Sequence, residues 1–191
     1  GEAGVILLAV FVGLALPVVV PGFLVALHYG VQISRPSWGF LSDAGGNRTR
    51  WILGGMAMLA GGALLAAASL AVFEGSFAAG LAVSVLAYAV IGMGVGASGT
   101  SLLALLATAT APRRRPAAAT ISWLMMIFGI ALTAIVTGQV LDPYSHARLM
   151  VIVATVAGGA LALTTLAIWG IERRVVATSE PRPMPLRQGL A

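Results

Sequence analysis

The sequence predicts an all-α membrane protein with six transmembrane helices. Three observations carry that prediction. The 191 residues are 59% hydrophobic and only 9% charged, whereas a soluble domain carries about 25% charged residues. So little charge cannot coat a globule, so lipid must be the main solvent. The charges are also spaced. None falls between Glu2 and Arg35, Arg50 and Glu74, Glu74 and Arg113, Arg115 and Asp142, or Arg148 and Glu172. A helix needs about 20 apolar residues to cross a hydrocarbon core, and every gap supplies them. Finally, the segments do not alternate polar with apolar residues as barrel strands do. A lipid-facing backbone must satisfy its own hydrogen bonds, which favours helices.

The first gap is long enough for two helices. It holds Pro17 and then Pro21-Gly22, a helix-breaking pair, and splits into a short helix at about 4–19 and a second at about 22–41. The polar stretch "GFLSDAGGNRTRW", residues 39–51, then interrupts the apolar chain. Gly39, Gly45 and Gly46 give the backbone freedom that a tight turn needs. Asp43 can accept hydrogen bonds from loop amides or a helix N-terminus, and can pair with Arg48 or Arg50. The third and fourth helices follow at about 51–73 and 79–109. "GMGVGASGTS" places Gly92, Gly96 and Gly99 on one face of the fourth, and such stripes let helices approach closely in lipid. It is not a nucleotide-binding loop, because no strand precedes it and no Gly-Lys-Ser/Thr follows. "APRRRPA" leads into the fifth helix, at about 117–140, and "LDPYSHAR" into the sixth, at about 148–171. These six form one bundle over residues 1–172, and residues 173–191 read as a cytoplasmic tail or linker. The chain begins Gly-Glu without Met and ends "EPRPMPLRQGLA". It reads as a piece of a longer protein.

The basic residues orient the bundle. All eleven are arginine, against six acids, for a formal charge of +5. They sit in short clusters between apolar runs, so they read as topology anchors and not as a nucleic-acid footprint. Arginine-rich short loops stay in the cytoplasm. Arg48 and Arg50, Arg113 to Arg115, and the tail arginines Arg173, Arg174, Arg182 and Arg187 all fall on one side, with Arg148 alone opposite. Both termini are then expected to be cytoplasmic. No secretory signal peptide is evident. The absence of cysteine excludes disulfides, thiolate catalysis and cysteine metal sites.

The opening stretch also resembles a known signature. Gly39, Leu41, Asp43, Gly46, Arg48 and Arg50 are similar to the Gly-x-Leu-x-Asp-(x)-x-Gly-x-Arg-x-Arg loop of the major facilitator superfamily. That family has two six-helix halves, and the resemblance implies that this chain is the first. A narrower resemblance covers residues 21–172. The stretches "PGFLVALHYGVQISRPSWGFLSDAGGNRTRWILGGMAMLAGG", "GMGVGASGTSLLALLAT", "PRRRPAAATISWLMMIFGIALTAIVTG" and "LDPYSHARL" look like the PucC/LhaA family. Its members serve bacteriochlorophyll delivery or light-harvesting assembly in phototrophic bacteria. The resemblance implies bacteriochlorophyll as ligand, and light-harvesting polypeptides or a reaction-centre antenna as partners. The missing C-terminal half and the lipid bilayer complete the set.

Few residues can carry chemistry. His28, Gln32 and Arg35 stand at i, i+4 and i+7, on one stripe of the second helix, which Gly39 continues. Arg35 is either an interfacial arginine, paired with Asp43 or helix-end carbonyls, or a charge facing a central cavity. His28 is either a packing residue or a ligand for the magnesium of a chlorin. "SWLMMIFG" on the fifth helix offers Trp123, Met125, Met126 and Phe128. These adaptable side chains suit a flat macrocycle, a partner helix or plain packing. Glu74, Asp142 and Glu172 mark span ends, and no carboxylate lies deep in a span, where proton-coupled transporters use one.

The family resemblance therefore implies an assembly factor that holds or hands over bacteriochlorophyll and makes no covalent change. The alternative is a facilitator-type small-solute transporter, with a cavity drawn from His28, Gln32, Arg35, Ser98, Thr100 and Ser101. A third reading is a structural subunit. No Ser-His-Asp constellation or metal-binding cluster stands out, so the expectation is that the chain is not an enzyme.

Overall fold

The computed structural model describes residues 19–44 and 47–171, with the side chains of residues 40–44 excepted. Among the described residues every regular element is helical. The chain runs through α1 (Val19–Val31), one 3₁₀ turn (Gln32–Ser34), α2 (Arg35–Ala44), α3 (Arg48–Gly75) and α4 (Phe77–Ala109). A second 3₁₀ turn (Pro112–Arg114) leads to α5 (Arg115–Val140) and then α6 (His146–Ile168). Four segments are long and apolar enough to cross a membrane: α3, α4, the unit Pro112–Val140, and α6. The chain is an all-α, multi-pass membrane protein. The expected helix at 4–19 lies outside the described residues.

Local chemistry sets the ends. Asn47 caps α3 by accepting from the Arg50 amide at 3.2 Å. Ser76 caps α4 at Ala79, and Ser145 caps α6 at Arg148, each satisfying an otherwise orphaned amide. These caps start the helices earlier than a reading of the apolar runs alone. Gly170 ends α6 at φ +70°, a left-handed position that favours glycine. The expected break at Pro21-Gly22 is absent. Both residues lie inside α1. The interruption comes instead at Gln32–Ser34, just ahead of Pro36.

α3 and α4 form the central antiparallel pair, with α6 against α3 and with α1 and α2 against α4. Two clusters tie them together. One joins Val20 and Leu24 to Ala67, Leu70, Tyr88 and Leu149. The other, near the arginine-bearing end, joins Ile52, Leu105 and Ile168. In lipid, apolar burial gives little net drive between helices, so close contact must supply it. Gly55, Gly62 and Ser69 recur every seven residues along α3 and meet α4 in order. A Cβ at Gly55 would lie 2.5 Å from the Ser98 amide nitrogen, and one at Gly62 would lie 2.7 Å from Ile91 Cγ1. Ser84 donates to Ser69 at 2.9 Å. From the other side, a Cβ at Gly94 would lie 2.7 Å from the Gly55 carbonyl oxygen. Only glycine lets the two backbones come this near.

The expected stripe on α4 is corrected in part. Gly92 packs on His28 and Val31, and Gly96 on Trp38, but Gly99 faces open space. Gly94, absent from that stripe, carries the α3 contact. Gly39 is likewise no turn residue. It lies within α2 and meets Thr100. α5 touches α4 only slightly and, over its 26 residues, has no buried side chain.

Candidate functional site

The α1–α2 interruption gathers the polar groups of an otherwise apolar span. Pro36 has no N–H and so cannot serve the Gln32 carbonyl. The Arg35 amide serves it instead. That shift orphans the Val31 carbonyl, to which a regular helix would direct Arg35. The Ser34 hydroxyl donates to it at 2.6 Å, and the Trp38 indole donates to Ser34 Oγ at 2.8 Å. The break is thus closed by side chains, as unwound backbone at membrane depth requires. Trp38 also stacks at a tilt on Trp51, with ring centroids 5.8 Å apart, and so joins α2 to α3.

One turn earlier, the Gln32 side-chain nitrogen lies 2.8 Å from His28 Nε2. With the amide donating, His28 is a neutral imidazole whose proton sits on Nδ1. That Nδ1 is buried and has no partner. The second ring nitrogen is therefore the unsatisfied one, while the first is held by Gln32. Arg35 is exposed, and its guanidinium makes no hydrogen bond or ion pair among the described residues. Of the expected stripe, the structure joins His28 to Gln32 and leaves Arg35 apart.

Trp123 and Met126 lie on α5, 61% and 45% exposed, and belong to neither core cluster. They are not brought into contact with His28. In the loop motif, Arg48 donates to Thr108 Oγ1 at 3.0 Å across the α3–α4 pair. The Arg50 side chain is exposed. Asp43 lies in the last turn of α2, with its side chain outside the described residues, as is Gly46.

Sequence reasoning missed Ser34, Trp38 and the Gly55–Gly94 seam. The Ser-Arg-Pro run at 34–36 could have flagged the break, and the Gly-Gly pairs at 54–55 and 61–62 the seam. At the end opposite the arginines, Glu74 Oε1 lies 3.6 Å from His146 Nδ1. The Tyr144 ring meets that of His146 edge-on, and Arg148 donates to the Pro143 carbonyl at 2.8 Å. Burial, and then the Glu74 carboxylate, push the Tyr144 phenol above its ordinary value. Among the described residues no three His, Cys, Asp or Glu side chains could hold a metal ion.

The PUCC protein family model matches residues 8–189. The chain is 61% identical over 180 residues to the bacteriochlorophyll synthase 44.5 kDa chain of Rhodobacter capsulatus, covering 94% of this chain and 42% of that protein. It is 31% identical over 176 residues to protein PucC of Cereibacter sphaeroides, covering 85% and 38%. It is 27% identical over 179 residues to protein PucC of Rhodobacter capsulatus, covering 87% and 39%. The chain thus spans about two fifths of the length of these relatives. No solved structure matches it significantly. One expectation is overturned here. A relative sharing 61% identity bears the name of a synthase chain, which is an enzyme's name, so the expectation of a non-enzyme is withdrawn.

Proposed function

Since the chain belongs to the PUCC family, we propose that it is the six-helix first half of a facilitator-type membrane protein that serves light-harvesting assembly by holding bacteriochlorophyll. Residues 1–172 would be the bundle and 173–191 the tail. The arginine-bearing ends and both termini would face the cytoplasm, in a bacterial inner or intracytoplasmic membrane. The observation that carries the reading is the family match across nearly the whole chain. The name of the Rhodobacter capsulatus relative adds bacteriochlorophyll as the molecule concerned.

The pigment is cargo, and the residues fit it in a conditional way. His28 is a neutral imidazole in an apolar span, which suits a magnesium ligand. Its Nε2 is engaged by Gln32, so ligation there would require Gln32 to swing away. Gln32 then acts as a placeholder that satisfies Nε2 until a ligand takes its place. Arg35, two turns further along and just past the helix break, would meet a polar substituent at the edge of the macrocycle. Trp123 and Met126 on exposed α5 offer an apolar wall for a macrocycle or for an antenna helix.

The test is purification of the full-length protein from a phototroph, followed by its absorbance spectrum and an inventory of co-purifying polypeptides. Bound pigment or antenna polypeptides support the proposal. A colourless preparation, from a strain whose deletion mutant keeps normal antenna levels, would end it. Within the site, His28→Phe should lose pigment, and Gln32→Leu should retain it. Unchanged retention in His28→Phe removes the ligand role.

A further inference from the structure

The most strongly charged patch among the described residues has no role in the pigment site. It lies where α3 begins and α4 ends. Arg48 reaches across to Thr108 Oγ1 at 3.0 Å, and Arg115 Nε donates to the Thr110 carbonyl at 3.4 Å. Thr108 and Thr110 are two residues apart, so the starts of α3 and α5 converge on one stretch of chain. Arg113 and Arg114 fill the 3₁₀ turn between them and are exposed. With the exposed Arg50 they make three guanidinium groups without a hydrogen bond or ion pair from their side chains among the described residues. No described carboxylate side chain accompanies them. Glu74 and Asp142 lie at the far ends of their helices.

The depth of the patch identifies its ligand. The Ile52–Leu105–Ile168 cluster sits directly inside it, so the guanidinium groups lie just beyond the apolar zone. On the outer side of α4, Leu102 and Leu103 are about half exposed below the arginines, and Ile121 and Leu124 are exposed on α5. A free phosphate would have no use for these side chains, whereas a lipid would lay its acyl chains along them. Guanidinium forks also match phosphate oxygens in pairs.

We infer that the α3–α4–α5 junction binds an anionic phospholipid. Arg50, Arg113 and Arg114 hold its phosphate, Arg48 and Arg115 pin the junction, and Leu102 and Leu103 contact its tails. This goes beyond the topological role of the arginines, which needs no particular lipid and no saturable site.

The experiment uses the full-length protein exchanged into nanodiscs of equimolar phosphatidylcholine and phosphatidylglycerol, with retained lipid counted by native mass spectrometry. Wild type should retain phosphatidylglycerol preferentially. Each of Arg50→Gln, Arg113→Gln and Arg114→Gln should lower that preference by about fivefold. Equal retention of the two lipids by wild type overturns the inference, as does an unchanged preference in the triple variant. If the triple variant does not insert, wild type alone decides. Titration in detergent should raise its unfolding temperature with phosphatidylglycerol, and not with phosphatidylcholine or with inorganic phosphate. An equal response to inorganic phosphate would identify a free-anion site and overturn the lipid assignment.

Discussion

Alanine placed at Gly55 should separate α3 from α4, whereas alanine one residue earlier should not. The new Cβ at Gly55 would stand 2.5 Å from the Ser98 nitrogen, 2.7 Å from the Gly94 carbonyl oxygen and 2.8 Å from Ser98 Cβ, where ordinary contact begins at 3.4 Å. The shortfall reaches about 0.9 Å, and two of the three atoms are backbone. No side chain can turn aside, so the helices must move apart. Overpacking of this kind costs about 1–3 kcal/mol, against a gain of roughly 0.8–1 kcal/mol in helix propensity from Gly→Ala. Gly55→Ala should therefore lose about 0–2 kcal/mol net. Gly54 has nothing within 4 Å of its Cβ position, so Gly54→Ala should keep the propensity gain alone. Its gap from Gly55→Ala should be about 2 kcal/mol, the middle of the overpacking range. The assay is an SDS unfolding titration of the full-length protein from mild detergent, followed by loss of helicity. If the two variants unfold together, or if Gly55→Ala is the more stable, then the α3–α4 seam is not as close as described.

Other expectations follow from the same geometry. Ser34→Ala removes the donor to the Val31 carbonyl and the acceptor of the Trp38 indole. It should cost about 1–3 kcal/mol in the same titration, and Ser34→Thr should restore most of it. A double-mutant cycle of Ser69→Ala with Ser84→Ala should give a coupling of about 0.6 kcal/mol, no more than about 1.7; zero coupling would deny the buried hydrogen bond. Because the folded state raises the Tyr144 pKa, the unfolded phenol ionises first as pH rises. Stability attributable to Tyr144 should hold below about pH 10 and decline above it, and Tyr144→Phe should flatten that decline. A slope of the opposite sign in the alkaline titration would contradict the burial beside Glu74.

Spacing of charge made the membrane and the long helices legible. The gaps flanking Glu74, and that between Arg115 and Asp142, state where polar groups stop, and lipid admits little else but helices there. Family kinship was legible in the stretches spread over residues 21–172, because local runs of sequence carry it without any tertiary contact. The helix break was not, because Pro21-Gly22 and Pro36 look alike as breakers in a linear reading. Which one interrupts the helix depends on whether the freed carbonyls find donors, and Ser34 supplies one beside Pro36.

Composition and the spacing of charge by themselves determined the solvent of this protein, its helical character and the sidedness expected of its arginines, since each follows from the cost of placing charge or bare backbone in hydrocarbon. Tertiary structure alone decided that Gly55 and Gly62 are contacts while their neighbours Gly54 and Gly61 face open space. It also decided that Gln32, and not Arg35, is the partner of His28, and that α5 stands with its apolar side chains uncovered. Those outcomes turn on distances of a few ångströms between residues far apart in sequence, and periodicity within one helix does not carry that information.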